Sequence, residues 1–412
     1  MACKSKKSEK VINLAFIGYG IQARTVLVPN FIKQENVVVK AVCDCDKVRA
    51  KAGAEQVNKA YNNNKCKVVY DFREVLQDPS IEIVCIGTPD HWHAYIAVEA
   101  MKHGKDVYCE KPLTFSIDES KKVIAAQKKY DRVFQTGSMQ RCWPEFRTAV
   151  MIVRNGFIGD VKYVDANYGR GGQKLGGPSH PVRFFDEPEK AAIEGAPNEN
   201  VDWNMWLGPA KWRPYSDRLS PRGMHKSYSQ VMFWRFDDDI GTGYNGDWGA
   251  HHLDIAQWGL DMDQSGPYKI SRSDEPHSDN LFHGCRRQFG MKMLFKKPYG
   301  DVELYHGPFG TWGTVFYGTK GTIICDNTSD HMTLFKVGED GMNAAYRELW
   351  EETAITKNDI KLTHLMDFTY HMAQEYVEVY VGRLNKDVEI KGDENILYWS
   401  DFNHNFFDPT LY

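Results

Sequence analysis

The residues best suited to chemistry form one short run in the second half of the chain, where acids and histidines recur at the period of an α-helix. Asp247 and His251 are four residues apart, and the run from Asp254 is apolar and contains neither Pro nor Gly until Gly259, so a helix is predicted. Its face would carry Asp247, His251, Asp254 and Trp258, while His252 would point elsewhere. A carboxylate beside an imidazole can fix the tautomer of the ring and raise its basicity, which a general base near neutral pH requires.

The same run has two other interpretations. His251 could fill a core or cap a helix, and Asp247 could be an acid of the first helical turn, where the macrodipole favours negative charge. Two carboxylates and one imidazole could also bind a divalent ion through Asp247, His251 and Asp254. The sequence offers no further cluster of ligands, so no metal is predicted.

A glycine turn near the start of the chain predicts a nucleotide site. The apolar run at residues 11–17 leads into Gly18 and Gly20 and then into a helix-compatible segment. A strand, a glycine turn and a helix start place backbone N–H groups where a pyrophosphate binds. Gly18 would permit the turn, Gly20 would let the backbone approach the phosphate, and Ile21 and Gln22 would contact the cofactor from the same turn.

The next predicted strand, at residues 37–43, ends at Asp44. An acid at that position accepts hydrogen bonds from ribose hydroxyls and repels a 2′-phosphate, so NAD is favoured over NADP as the cofactor. The structural alternative is an acidic residue of a turn.

The predicted strand at residues 81–86 is followed by a second group of candidates. Asp90 is a suitable N-cap for a helix that runs to about position 103. The histidines after it could touch cofactor or substrate, or pack within the loop. The predicted cofactor contacts in this loop are Thr88, Pro89, His91 and His93.

A further strand, at residues 106–109, delivers Glu110 and Lys111 at its carboxyl end, the side where ligands bind in open α/β sheets. Pro112 restricts the conformation of Lys111, so its ammonium group is aimed. A lysine beside a cationic nicotinamide can polarise a substrate hydroxyl. The alternative is a surface lysine paired with Glu110. Gln140, beyond the last strand, is a further predicted cofactor contact.

Length and composition predict two domains. At 412 residues the chain exceeds the usual size of a single core. We predict a flexible tail at residues 1–10, a dinucleotide-binding domain at 11–136 and a substrate-binding and oligomerisation domain at 137–412. The second domain contains an aromatic-rich insertion at about 179–239, of a kind that usually surrounds a substrate cleft.

Charge and composition exclude several classes of protein. The net charge of −4 and pI near 6.4 leave no electrostatic footprint for nucleic acid, and no apolar run is long enough to span a bilayer. The nine cysteines are interpreted as mainly buried thiols rather than disulfides. As written the chain is expected to be soluble, and either cytoplasmic or, if Cys3 is a processed lipoprotein cysteine, in the periplasm or cell envelope.

In their order and intervals, these residues resemble the glucose-fructose oxidoreductase, inositol dehydrogenase and rhizopine catabolism (Gfo/Idh/MocA) oxidoreductases. The resemblance covers roughly residues 11–383. The segments that carry it are Gly18-x-Gly20-x-x-Ala23, Asp44, Thr88-Pro89 with His93, Glu110-Lys111-Pro112, Asn155-Gly156-x-Ile158-Gly159 and Gly243-x-x-Gly246-Asp247-x-Gly249-x-His251-x-x-Asp254.

The resemblance implies a Rossmann dinucleotide-binding domain followed by an α/β domain with a large, open, mostly antiparallel sheet that often mediates homodimers or homotetramers. It implies that His251 removes a hydroxyl proton, that Asp247 orients or polarises, and that Lys111 stabilises the developing alkoxide. The family varies in which of the lysine and the histidine is the base.

The second domain supplies candidates for substrate hydroxyls and several predicted elements. Residues 202–209 resemble an element of a subgroup seen in bacterial sugar and glycoside metabolism, and residues 365–383 are predicted to form a helix. The aromatic tail at 387–412 is expected to pack on a neighbour or on the edge of the domain. The predicted substrate contacts are Lys111, Arg141, Arg170, His180, Arg183, Asp247 and His251.

Three functions remain open from the sequence. The first is an NAD-dependent dehydrogenase that oxidises a secondary hydroxyl of a sugar, glycoside or cyclitol, or reduces the ketosugar. The second is an NAD-retaining glycosidase that acts by oxidation and elimination. The third is a non-catalytic NAD-binding sensor, which would not need the lysine, aspartate and histidine together.

Overall fold

The structure is a computed structural model. It describes residues 10–168, 198–226, 228, 233–237, 239–243, 245–273, 290–307, 313–326, 332–336, 360–370 and 375–384. The chain divides into two compact units, residues 1–319 with 323–333 and residues 320–322 with 334–412. The predicted boundary between positions 136 and 137 falls inside the first unit and stays a prediction. The N-terminal tail and the segment after position 384 lie outside the described residues.

The first sheet is fully parallel, and its strand order is β3-β2-β1-β4-β5-β6. The order reverses between β1 and β4, which is where an open α/β sheet leaves a crevice at the carboxyl ends of its strands. The strands are β1 Ile12–Ile17, β2 Val37–Cys43, β3 Lys67–Val69, β4 Ile83–Ile86, β5 Asp106–Glu110 and β6 Phe134–Gly137.

Both faces of this sheet are buried, which explains why its central strands read as continuous apolar runs. In β1, Ala15 and Ile17 belong to one core cluster, whereas Leu14 and Phe16 belong to another. This alternation is the two-residue period of a strand. The helices of this sheet are α1 Val28–Phe31, α2 Lys47–Tyr61, α3 Phe72–Gln77, α4 Asp90–Lys102 and α5 Ile117–Tyr130.

The prediction that Asp90 caps helix α4 is wrong. Pro89 is the N-cap, and Asp90 is the first helical residue. Its carboxylate accepts hydrogen bonds from the backbone N–H of Thr242, at 3.0 Å, and from the hydroxyl of Thr242, at 2.6 Å. The carboxylate of Asp90 therefore bonds Thr242, which is distant in sequence, and does not cap the N–H groups of its own helix.

The second sheet is mixed. Its order is β13-β12-β11-β7-β10-β9-β8. β7 pairs parallel with β10 and antiparallel with β11, and β9 pairs antiparallel with both β8 and β10. The strands are β7 Val161–Asn167, β8 Lys269–Arg272, β9 Met291–Lys297, β10 Gly300–Gly307, β11 Gly313–Gly318, β12 Gly321–Asp326 and β13 Met332–Lys336.

Helix α8 packs on this sheet and presents the run that contains His251. The hydroxyl of Thr314 in β11 donates to the carbonyl of His252 at 2.9 Å, and the ring of His252 bonds the carbonyl of Asn167 in β7. His252 therefore points into the core, away from the side of the helix that carries His251. The helices of this part are α6 Pro144–Arg154, α7 Trp203–Leu207 and α8 Ala250–Gly259.

The predicted helix at residues 365–383 is wrong. The second unit contains an antiparallel pair there, β14 Ile360–Tyr370 and β15 Glu375–Leu384. Val377, Val379 and Val381 recur every second residue, and this period and the β-branched side chains favour a strand. The apolar content of the segment is compatible with a helix or a strand, and only the two-residue spacing of its valines indicates the strand.

The cysteines in strands β2, β4, β5 and β12 are buried free thiols, as predicted for Cys43, Cys85, Cys109 and Cys325. Among the described helices, none combines the length and the apolar character needed to cross a bilayer.

Three buried histidines should make the protein less stable below about pH 6.5. Burial lowers the pKa of His91 and His306 to about 4 and that of His252 to about 3. The unfolded chain therefore binds protons at pH values where the folded chain does not, and the free energy of unfolding should fall as the pH drops from about 6.5 to 4. The urea midpoint at successive pH values measures this.

His306→Gln should flatten that dependence, whereas the exposed His103→Gln should leave it unchanged. A urea midpoint that stays constant down to pH 4 in the unmodified protein would contradict the argument.

Candidate active site

A cavity of about 590 Å³ lies at the carboxyl ends of β1, β2, β4 and β5. Its volume is typical of small-molecule sites. Each of these strands contributes the residues that follow its last position, as the sheet topology requires. The predicted site residues that line it are Gly18, Gly20, Ile21, Gln22, Asp44, Thr88, Pro89, Glu110, Lys111, Gln140, Asp247 and His251.

The glycine turn has the local geometry of a phosphate cradle. Gly18 has a φ of +91°, and a Cβ atom there would lie 2.7 Å from the carbonyl oxygen of Gly87. A Cβ atom on Gly20 would meet nothing within 4 Å, so it would project into open space. The two glycines therefore have different roles: the first is required by the protein backbone, and the second leaves room for a ligand.

Asp44 lies at the end of β2 and lines the cavity. Its carboxylate accepts hydrogen bonds from the backbone N–H groups of Tyr19, at 2.7 Å, and Asp46, at 2.8 Å. Burial raises the pKa of Asp44, and the guanidinium of Arg49 and the two N–H donors oppose that change. The carboxylate is thus held rigidly, and each oxygen retains capacity to accept from a ribose hydroxyl.

Two buried polar atoms beside the cavity support the fit of a polar cofactor. The hydroxyl oxygen of Thr88 and the Oε1 atom of Glu110 make no hydrogen bond to the described residues. Buried polar atoms are normally paired, so these two need a ligand or water. Together with the open space at Gly20 and the carboxylate of Asp44, they fit a dinucleotide in this cavity.

The carboxylate of Asp247 is held between two cations. Lys111 Nζ lies 2.9 Å from Oδ1, and Arg235 Nε lies 3.0 Å from Oδ2. The ammonium of Lys111 also donates to the backbone carbonyl of Asp247. Burial alone would raise the pKa of Asp247, but the guanidinium and the ammonium outweigh it and hold that pKa well below its usual range. Asp247 is therefore an anion and a poor proton acceptor.

His251 is the group in this cluster that can accept a proton. Its ring contacts the ring of Trp248, with 6.0 Å between the centroids, and makes no hydrogen bond to the described residues. Burial and then the positive charge of Lys111 lower the pKa of His251 well below its usual value, and Asp247 opposes them. The imidazole is thus neutral at neutral pH, which a base requires.

The side chains of the predicted helical face separate at its first turn and have different partners. Residues Asn245–Gly249 form a π-helical turn that precedes α8. Asp247 turns to Lys111, whereas Asp254 forms a bidentate pair with Arg141, at 2.7 Å for both contacts. Because cations hold both carboxylates, neither is available to a metal, and the described residues contain no group of three or more suitable ligands.

His91 and His93 are placed behind the cavity wall and do not line it. His91 Nε2 bonds the carbonyl of Trp206 at 3.2 Å. The ring nitrogens of His93 lie 2.7 Å from the carbonyl oxygen of Pro112 and 2.9 Å from that of Thr88. His93 thus joins the two loops that carry Thr88 and Lys111.

Arg141 is also directed away from the cavity. Besides Asp254 it pairs with Asp263, at 2.8 Å, and its guanidinium lies over the ring of Trp258. These contacts anchor the turn that presents Gln140. Three of the predicted substrate contacts, Arg170, His180 and Arg183, lie outside the described residues.

Sequence reasoning missed Arg235, Trp248 and the segment around His225, all of which line the cavity. Arg235 and Asp247 are twelve positions apart in a segment without regular periodicity, so no spacing rule joins them. The clustering of arginines and tryptophans in the insertion was the only available signal.

Residues 12–138 match the profile of an oxidoreductase family described by its NAD-binding Rossmann fold, and residues 185–293 match the C-terminal α/β domain of the same family. The two matches together cover more than half of the chain. The chain belongs to the Gfo/Idh/MocA oxidoreductase family. The domain built on its first sheet is accordingly an NAD-binding Rossmann domain, as the glycine turn and Asp44 predict.

Curated members of the Gfo/Idh/MocA family match about a third of this chain. An uncharacterised oxidoreductase, YrbE of Bacillus subtilis, is 33% identical over 32% of this chain and 37% of its own length. The scyllo-inositol 2-dehydrogenase (NAD(+)) of the same organism is 36% identical over 30% of this chain and 35% of its own. The chain thus matches less than half the length of these relatives.

Solved structures share the fold over most of the chain. The aldose-aldose oxidoreductase of Caulobacter crescentus, complexed with glycerol, has a TM-score of 0.54 at 20% identity and covers 79% of this chain and 80% of its own. A levoglucosan dehydrogenase in complex with NADH and levoglucosan has a TM-score of 0.52 at 19% identity, covering 81% and 78%. At these identities the similarity establishes the fold alone.

The two glycines of the turn predict a matched pair of variants. Gly18→Ala should lower the free energy of unfolding by about 1–3 kcal/mol, because its Cβ would collide with the backbone at Gly87. Gly20→Ala should unfold like the unmodified protein but bind NADH about tenfold more weakly. Urea unfolding and NADH fluorescence titration measure the two effects. Equal losses of stability in both variants would contradict the assignment.

Proposed function

We propose that the protein is an NAD-dependent oxidoreductase that oxidises a secondary hydroxyl of a sugar, glycoside or cyclitol to a ketone, or catalyses the reverse reduction. The observation that carries this proposal is the Lys111–Asp247 ion pair beside a neutral His251, in the cavity that also contains the glycine turn. Residues 11–136 would hold the cofactor, and residues 137–412 would supply most of the substrate site in a homodimer or homotetramer.

When bound, NAD would supply the acceptor for a hydride from the carbon that bears the hydroxyl. Lys111 has the ammonium that can donate a hydrogen bond to the hydroxyl oxygen and stabilise negative charge as it develops there. Asp247 holds that ammonium in place through the contact at 2.9 Å. Asp247 is thus a positioning residue for Lys111 and not a base.

His251 is the group to which we assign the hydroxyl proton. Its ring is neutral and makes no hydrogen bond to the described residues, so a nitrogen remains available to the substrate. The imidazolium formed by proton transfer would be stabilised by the nearby charge of Asp247, which opposes the lowering of the pKa of His251 by burial and by Lys111. In the reverse direction the same ring would return the proton.

A carbohydrate or cyclitol substrate is supported by two observations. Trp143, Trp234 and Trp248 line the cavity, and aromatic faces suit the C–H faces of sugar rings. The similarity of about a third of the chain to a scyllo-inositol 2-dehydrogenase supports the same chemical class.

One comparison favours a second candidate function. An α-N-acetylgalactosaminidase of Shewanella oneidensis is 27% identical over 39% of this chain and 35% of its own length. This supports the alternative of an NAD-retaining glycosidase that acts by oxidation and elimination. Asp247, Lys111 and His251 support the dehydrogenase better, because they form one complete set for proton removal and alkoxide stabilisation.

The test is the absorbance of reduced nicotinamide during incubation with a panel of sugars, glycosides and inositols, with and without added NAD. We expect reduced cofactor to accumulate with at least one of them only when NAD is supplied. Cleavage of a glycoside without net accumulation would favour the glycosidase. No reaction across the panel, with NAD bound, would favour a non-catalytic sensor.

His251→Ala should nearly abolish turnover, because it removes the proposed proton acceptor. Its affinity for NAD should stay within a few fold, since the glycine turn and Asp44 are untouched. Steady-state rates and NADH titration measure the two effects. His103→Ala, at the end of helix α4 and outside the cavity, is the control and should keep full activity. Full activity of His251→Ala would refute the assignment of the base.

A further inference from the structure

A segment of the insertion runs along the cofactor cavity. Residues 219–226 together with Tyr228, here called the strap, form part of the cavity wall. They face residues of the Rossmann sheet that belong to the predicted cofactor site. The strap residues that line the cavity are Leu219, Pro221, Gly223, Met224, His225 and Tyr228.

Three side chains of the Rossmann domain bind the strap. Arg49 Nη2 donates to the carbonyl of Pro221 at 3.0 Å, and Arg24 donates to the carbonyl of His225. The hydroxyl of Tyr228 donates to Oε1 of Gln22 at 2.7 Å. Gln22 and Arg24 follow the glycine turn, and Arg49 lies in the first turn of α2. All three also line the cavity.

The strap lines the same cavity as both ends of the predicted site. Arg49, which binds Pro221, also acts on the charge of Asp44, and the cavity lining includes Lys111 and Asp247. A dinucleotide laid between Asp44 and Lys111 would therefore lie against the strap.

The residues before the strap are fixed to the same domain. The backbone of Lys47 donates to the carbonyl of Asn200 at 2.8 Å, and the backbone of Asp202 donates to that of Cys45 at 3.0 Å. These bonds lie between main-chain groups of the β2–α2 loop and of the insertion. Within the insertion, the hydroxyl of Tyr215 donates to the carbonyl of Ser220 at 2.6 Å, which ties the strap to the segment before it. The three side-chain contacts with the Rossmann domain can therefore open while the strap stays attached to the insertion.

Met224 adds an apolar contact to these hydrogen bonds. Its side chain packs against the core cluster that contains Leu14, Phe16 and Tyr19. Gly223, with a φ of +84°, turns the chain immediately before it. Met224 and the hydrogen bonds of Arg24, Arg49 and Gln22 thus join the strap to the Rossmann domain, and such contacts can break without unfolding the domain.

We propose that the strap is the gate of the cofactor site, so that NAD enters and leaves only when the contacts of Gln22, Arg24 and Arg49 with the strap open. This inference rests on the proposed function in taking NAD as the ligand of the cavity. Tyr228 and Arg49 are assigned to control of exchange. A gate slows entry and departure alike, whereas a residue that only contacts the cofactor changes mainly departure.

Stopped-flow fluorescence with NADH separates these roles without any measurement of turnover. Tyr228→Phe removes the hydrogen bond to Gln22 and keeps the ring. We expect its association and dissociation rate constants both to rise about threefold to tenfold, the effect of one lost hydrogen bond on the open population. Arg49→Met should act in the same direction. Arg154→Met, which removes a surface ion pair with Asp261 outside the cavity, is the matched control and should leave both constants unchanged.

The remaining outcomes overturn the inference. A rise in the dissociation constant alone, with an unchanged association rate, would make Tyr228 and Arg49 simple cofactor contacts. Unchanged rates in both variants would mean that the strap does not limit exchange. Failure of the unmodified protein to bind NADH at all would overturn the proposed function itself, and the inference with it. Amide hydrogen exchange is a second measurement that needs no variant: residues 219–226 should exchange more slowly once NADH is bound.

Discussion

The arrangement of the active site depends on the ion pairs of one carboxylate. Asp247 binds Lys111 from the end of strand β5 and Arg235 from the insertion, so it joins three separate segments of the first unit at one point. Charges taken out of water are stabilised only when their partners are well placed. Without Asp247, two cations would face each other in the cavity. The carboxylate thereby determines where the ammonium of Lys111 can stand.

The same ion pairs also separate the chemical roles of Asp247 and His251. A carboxylate between two cations remains an anion and does not accept protons, whereas the buried ring of His251 stays neutral and can accept one. Neighbouring groups whose pKa values are pushed apart in this way provide the assignment of roles in an acid–base site. The loop that carries Thr88 and the loop that carries Lys111 and Pro112 are joined by His93. Its ring nitrogens lie within hydrogen-bond distance of the carbonyl oxygens of Thr88 and Pro112. Second-layer contacts of this kind keep a site in its working geometry.

The parts of the site that follow from local rules were predictable from the sequence. Gly18, Asp44 and Lys111 each stand directly after a strand, and Gly20 follows in the same turn as Gly18, so strand periodicity places them at one sheet edge. Contacts between distant segments were not predictable, because no period links Arg235 to Asp247 or Tyr228 to Gln22. The helix expected at residues 365–383 failed for another reason: its two-residue period was overlooked in favour of its apolar content. His91 and His93 matched a motif, but their rings bond main-chain carbonyls behind the wall.

The pH dependence of kcat/KM for a substrate found by the sugar panel tests the central claim most directly. If His251 is the base and Lys111 lowers its pKa, activity should persist as the pH falls below 6.5 and decline only further into acid. In Lys111→Met the residual activity should decline at a higher pH, because the charge that lowers the pKa of His251 is gone. A decline at or above pH 6.5 in the unmodified protein, or an unchanged acid limb in Lys111→Met, would contradict the account.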